Sequence, residues 1–205
     1  MGLLEDRVVL VNGGSQAVGA GVARAAVGEG ATVVFTGRRA DMGEKLTADT
    51  GARFVRADLS DPAQARDSVK AVKAVEAYGR VDCLVNAAGL TSRGSLLDTT
   101  PELFDQHMAI NLKAPFFAMQ AAVTNMVARE APGTIVNIGS NCAHGGPPYL
   151  APYSTAKAGL AGLTRNAAHA HRFDRIRINT VNIGWTDTEG EDVVQRAQNV
   201  FGGQD

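Results

Sequence analysis

The chain has 205 residues, 45% of them apolar and 20% charged, with a formal net charge of −1. That length is ample for one domain with a sizeable core, and the sequence has neither the clustered basic face of a nucleic-acid binder nor an apolar run long enough to cross a membrane. Two cysteines, Cys83 and Cys142, make no disulfide framework, and no Cys/His set has zinc spacing. The amino terminus enters a strand without a secretory signal, so the expectation is one cytoplasmic domain over 1–205 with no metal, no nucleic-acid partner and no membrane.

Apolar, β-branched runs alternate with longer stretches of helical periodicity. The predicted strands are 7–12, 32–36, 53–57, 81–86, 134–138 and 176–182; the predicted helices are 17–28, 41–50, 62–78, 101–129 and 149–171. Strands buried on both faces and alternating with helices predict an α/β fold, a parallel sheet covered by helices and doubly wound by right-handed crossovers.

The first strand ends in Asn12-Gly13-Gly14-Ser15-Gln16-Ala17-Val18-Gly19 and runs straight into a helix. A glycine-rich turn there brings backbone N–H groups and a helix N-terminus to a pyrophosphate, so Gly13, Ser15, Gln16, Val18 and Gly19 are candidate contacts. The second strand ends Thr36-Gly37-Arg38-Arg39, where a site for NAD would place a carboxylate on the ribose 2′-OH. Gly37 followed by arginines suits a 2′-phosphate instead, with Arg38 the candidate and Arg39 read as solvated. Asp58, at the end of the third strand, either meets a ligand or caps the turn before Pro62.

The fourth strand ends Asn86-Ala87-Ala88-Gly89, and Asn111 lies within the long predicted helix that follows. Ser140 is placed just past the fifth strand. A Gly/Pro-rich turn leads into the helix bearing Tyr153 and Lys157, four residues apart and therefore on one face. A phenol beside an ammonium, with a hydroxyl from a strand end, makes a proton-transfer site, because the ammonium favours the phenolate. His144 and Cys142 share the loop after Ser140; His144 is a candidate substrate contact and Cys142 a free, partly buried thiol. His107 is read as a helix-face residue, and His169 and His171 as neighbours of a helix C-terminus.

Taken together, the glycine-rich turn, Asp58-Leu59, Asn86-Ala87-Ala88-Gly89, Asn111, Ser140, Tyr153-x-x-x-Lys157, and Asn182-Ile183-Gly184 with Thr188 resemble the short-chain dehydrogenase/reductase family along nearly the whole chain. The resemblance implies a Rossmann-like sheet of order 3-2-1-4-5-6 and a hydride exchanged between a nicotinamide cofactor and an alcohol or carbonyl. It implies that Tyr153 is the general acid/base. Lys157 lowers the phenol's pKa and binds the nicotinamide ribose, Ser140 polarises the substrate oxygen, and Asn111 holds a water linking Lys157 to solvent. Further cofactor contacts are implied at Leu59, Asn86, Ala88, Gly89, Gly184, Thr186 and Thr188. NADP(H) is the favoured cofactor, with NAD(H) the alternative, and the partner is a small-molecule alcohol or carbonyl compound.

The chain departs from the family in several places. Ala17 stands for the middle glycine of the turn and Asn12 for its leading threonine; Ile183 stands where a proline usually precedes Gly184. Weakened but not abolished cofactor binding is expected from Ala17. Residues 188–205 are read as the start of a substrate lid, after which the family's last helix and seventh strand are missing. The expectation is a fragment of a longer protein that is a dimer or tetramer when complete. The competing function is a non-catalytic nucleotide-binding module. The substrate pocket is expected between loops 90–96, 141–150 and 185–192, suiting a small polyol, a sugar-like alcohol or a cyclic ketone.

Overall fold

The computed structural model describes residues 2–74 and 78–186. Its strands are β1 (Val8–Asn12), β2 (Thr32–Gly37), β3 (Arg53–Arg56), β4 (Cys83–Asn86), β5 (Gly133–Ser140) and β6 (Ile176–Ile183). They form one parallel sheet in the order β3-β2-β1-β4-β5-β6, the expected Rossmann-like arrangement. The order reverses between β1 and β4, and at such a switch point the carboxyl ends of the strands open a crevice.

Alternation along β1 shows how the layers are built. Val8 and Leu10 join one core with Leu84, Met126 and Ile135, beneath helices α3 (Pro62–Ala74), α5 (Ala114–Ala128) and α6 (Ala151–Ala170). Val9 and Val11 join the opposite core with Ala23, Phe35 and Leu46, beneath α1 (Ala17–Gly28) and α2 (Ala40–Thr50). Side chains of successive strand residues point to opposite faces, so one continuous apolar run serves both cores.

Most element ends shift by one or two residues from expectation, and three differences bear on the site. Helix 101–129 is not one regular helix: α4 (Pro101–Met108) passes through a π turn, Ala109–Lys113, into α5. The π turn inserts one extra residue, and Asn111 lies at its centre. Ser140 is not past the fifth strand but is its last residue, because β5 and β6 stay paired through Ser140 and Ile183. The helix predicted from 149 begins at Ala151, with Pro152 in the first turn, where its missing N–H does no harm. The expected lid, 188–205, and Thr188 lie outside the described residues.

A polar ladder crosses the sheet just below its carboxyl ends. The register places Asn12 beside Asn86, Asn86 beside Asn137, and Asn137 beside Thr180. Thr36 Oγ1 donates to Asn12 Oδ1 (3.1 Å), Asn12 Nδ2 to Asn86 Oδ1 (3.2 Å), and Asn86 Nδ2 to Asn137 Oδ1 (2.9 Å). Asn137 Nδ2 then donates to Thr164 Oγ1 on α6 (2.9 Å), and Thr164 Oγ1 donates to Leu160 O (2.7 Å). The Asn12, Asn86 and Asn137 side chains are all buried, and each is held on both sides.

Candidate active site

The glycine-rich turn is shaped by close contacts. Gly13 has φ +78, and a Cβ there would overlap the Ala88 backbone, so the turn lies directly against the end of β4. Its N–H donates to Thr36 Oγ1 (3.3 Å), and the Gly14 N–H donates to Thr36 O (2.8 Å). A Cβ at Gly19 would strike Gly13 O, which leaves glycine as the residue that lets α1 seat on the turn. Ala17 has φ +48, the left-handed region expected of the glycine it replaces. A non-glycine residue there carries strain of about 1–2 kcal/mol.

Within the turn, Ser15 is buried, and its side chain fills the space that a Cβ at Gly37 would need. A carboxylate at position 37 therefore has no room unless Ser15 moves. Arg38 and Asp58 both line the cavity that opens here. The Asp58 carboxyl is held below its ordinary pKa by the backbone N–H and hydroxyl of Ser60, with the Arg38 charge adding a smaller push. Those two bonds, at 3.0 and 2.8 Å, form a local turn, so Asp58 fills the capping role and also faces the cavity. Arg39 pairs at long range with Asp41 (3.8 Å) and is exposed, as expected.

The cavity encloses about 730 Å³ and runs from the turn, past Ala88 and Gly89, to Ser140, Tyr153 and Lys157. Of the expected cofactor contacts, Gly13, Ser15, Gln16, Val18, Gly19, Arg38, Asp58, Leu59, Ala88, Gly89, Gly184 and Thr186 all line it. The described lining residues do not include Asn86 or Asn111, which lie behind the wall. The Asn86 amide is engaged in the ladder.

Ser140 ends β5, and its hydroxyl oxygen accepts the Cys142 N–H (3.1 Å) at the start of a 3₁₀ turn, Asn141–His144. That bond leaves the hydroxyl hydrogen available to donate into the cavity. Tyr153 and Lys157 come from the first half of α6 and are both buried. Lys157 Nζ donates to Ile138 O (2.7 Å) and lies 5.7 Å from the centroid of the Tyr153 ring. Burial pulls the Lys157 ammonium down to about pKa 8. An ammonium so placed still has two N–H groups beyond the one on Ile138.

Asn111 is fully buried. Its Oδ1 accepts the Leu90 N–H (3.0 Å), and its Nδ2 donates to Leu90 O (3.0 Å) while facing His107 Nδ1 at 3.2 Å. His107, read from the sequence as a helix-face residue, lies on α4 with its side chain completely buried and packed edgewise on the Tyr153 ring. A His four residues before Asn111, on the same helical face, was the available signal. The linkage of Asn12 and Asn137 through Asn86 was not legible in the sequence because only strand register joins them. Arg93, in the expected pocket loop 90–96, lines the cavity and stacks 4.8 Å over Tyr149 and 5.8 Å from Trp185. His144 is exposed and faces Asn182 (3.4 Å) instead of the cavity, whereas Cys142 is a free, partly buried thiol on the cavity wall. Among the described residues no cluster of His, Cys, Asp and Glu could hold a metal, and no helix is long and apolar enough to cross a membrane.

A family model described as short chain dehydrogenase matches residues 7–199. The "Probable galactose dehydrogenase GalD" of Rhizobium meliloti (strain 1021) is 38% identical over 192 residues, covering 91% of this chain and 74% of its own. The NADP-dependent (R)-specific alcohol dehydrogenase of Lentilactobacillus kefiri is 32% identical over 204 residues, covering 97% of this chain and 80% of its own. A solved structure described as a short chain dehydrogenase/reductase family protein superposes with a TM-score of 0.86 at 38% identity, covering 95% of this chain and 81% of that one.

Proposed function

Because the chain belongs to the short-chain dehydrogenase family, we propose that it moves a hydride between NADP(H) and a secondary alcohol or its ketone, or an aldehyde, with Tyr153 as general acid/base. The observation that carries this is the convergence of Ser140, Tyr153 and Lys157 at one end of a cavity whose other end is the glycine-rich turn. The cavity suits a dinucleotide: the close approach of Gly13 to Ala88 keeps side chains out of the cradle, and Gln16, Ala17 and Val18 at the α1 N-terminus line it. What a bound nicotinamide supplies is the hydride itself.

The remaining work falls to the chain. Lys157, buried and cationic below about pH 8, stabilises the Tyr153 phenolate and offers an N–H to the nicotinamide ribose. Tyr153 gives a proton to the alkoxide oxygen during reduction and withdraws it during oxidation. Ser140, with its oxygen already accepting from Cys142, donates its hydrogen to that same oxygen and fixes where charge develops. Asn111 holds the loop at Leu90 through its side chain, and its part in a water link to Lys157 belongs to the same proposal. Trp185, Leu150 and Pro147 line the cavity and are assigned to an alcohol substrate, a sugar-like one being the class that the galactose dehydrogenase's name suggests. Assembly as a homo-oligomer and a cytoplasmic address complete the proposal and follow the family's habit.

The preference for NADP(H) rests on Arg38 and on the lack of room for a carboxylate at Gly37. Titration by nicotinamide fluorescence is expected to show tighter binding of NADPH than NADH. Arg38→Ala should weaken NADPH by about 10- to 100-fold, since hydrogen bonds to charged groups contribute about 1.5–3 kcal/mol, and barely change NADH. Equal losses for both cofactors would remove the 2′-phosphate role. The rival reading, a non-catalytic nucleotide-binding module, predicts binding without turnover of any alcohol or carbonyl in the presence of NADP+ or NADPH.

A further inference from the structure

His107 has no part in the chemistry above, yet it is completely buried beside the phenol that does. Its surroundings admit one protonation state. The Ser92 carbonyl can only accept, so His107 Nε2, 3.0 Å away, carries the hydrogen. The Leu90 N–H can only donate and the Leu90 carbonyl can only accept, which settles the orientation of the Asn111 amide. That orientation turns an Asn111 N–H toward His107 Nδ1 at 3.2 Å, so Nδ1 must be a bare acceptor. A second proton there would set donor against donor, and burial also pushes His107 below its ordinary pKa despite the Ser92 bond.

The ring held this way joins three pieces of the site. Ser92 belongs to the loop after β4, whose Leu90, Thr91 and Arg93 form part of the cavity wall. Asn111 is the centre of the π turn. Tyr153 is on α6, and its ring meets that of His107 at 6.3 Å between centroids and 75° between planes, an edge-to-face contact. The same Tyr153 ring has Lys157 Nζ at 5.7 Å from its centroid.

We propose that His107 is a positioning residue for proton transfer: a neutral imidazole, anchored at both nitrogens, that holds the Tyr153 ring within reach of Lys157. The proposal rests on the reading of Tyr153 as the acid/base. An unanchored side chain of similar volume could fill the space but could not fix the ring, because the contact's direction comes from Ser92 and Asn111.

The test is the ionisation of Tyr153 itself, followed by phenolate absorbance in the full chain. The chain has three tyrosines, and subtracting the titration of Tyr153→Phe isolates the one of interest. His107→Leu should raise the pH at which Tyr153 ionises by about one unit as the ring drifts from the ammonium. NADPH affinity should stay within about twofold, because the dinucleotide end is untouched. Should His107→Leu fail to fold, His107→Phe, which refills the volume without either anchor, should give the same upward shift. Lys157→Met serves as the reference and should raise the Tyr153 ionisation as well. A shift with Lys157→Met but none with a folded, NADPH-binding His107 variant would overturn the role of His107 alone. No shift with Lys157→Met would overturn the Tyr153–Lys157 pairing, and the His107 proposal with it.

Discussion

Lys157 shows what the site demands of a single residue. Its ammonium is almost wholly removed from water, hydrogen-bonded to Ile138 O, and its pKa falls to about 8. In the unfolded chain a lysine titrates near 10.4, so between these values the unfolded state binds more protons and stability rises with pH. Below about pH 8 both states are protonated and the full penalty applies; above about pH 10.5 both are neutral and it vanishes. Lys157→Met should therefore be more stable than the parent near neutrality by about 3 kcal/mol, an advantage that shrinks as pH rises from 8 toward 10.5. Parallel urea titrations across that range check it. A constant difference would show that the lysine is not destabilised by burial. Ala17 makes the same point with backbone: a residue at φ +48 in the glycine-rich turn keeps the cradle's shape at some strain.

At the scale of elements, two devices hold the site, and neither could be read from single residues. The asparagine ladder links the strands beneath the cavity to Thr164, on the same helix as Tyr153 and Lys157. Asn86 was legible as a motif residue, but Asn12 looked like a substitution and Asn137 like part of an apolar strand, because register between parallel strands is set by tertiary pairing. Asn137→Ala would leave Asn86 Nδ2 without its acceptor in a buried setting, and urea denaturation should report a loss of about 3 kcal/mol with an unchanged slope. A loss below about 1 kcal/mol would mean that water replaces the missing amide and the ladder adds little. The π turn was equally hidden. Helical periodicity runs smoothly across 101–129, and one extra residue in a turn shifts that pattern too little to register.

For the molecule as a whole, the parallel sheet covered by helices was legible from the sequence pattern, and its strand order came with the family resemblance. Continuous apolar runs such as Val8–Val11, alternating with helical stretches, read as parallel strands buried on both faces, and motifs at strand ends then meet at the carboxyl edge of the sheet. The details that escaped, His107 among them, are contacts between elements distant in sequence. The sheet now brings the glycine-rich turn and the Ser140–Tyr153–Lys157 group into one cavity, and hydride transfer with Tyr153 as acid/base is the central claim built on it. The most direct measurement compares Tyr153→Phe with the parent: NADPH affinity by nicotinamide fluorescence, and turnover of a ketone, aldehyde and polyol panel by nicotinamide absorbance. The account predicts that the variant binds NADPH within about twofold of the parent and loses turnover by about 10²- to 10⁴-fold, the usual contribution of a positioned acid/base. Turnover unchanged in Tyr153→Phe would contradict it.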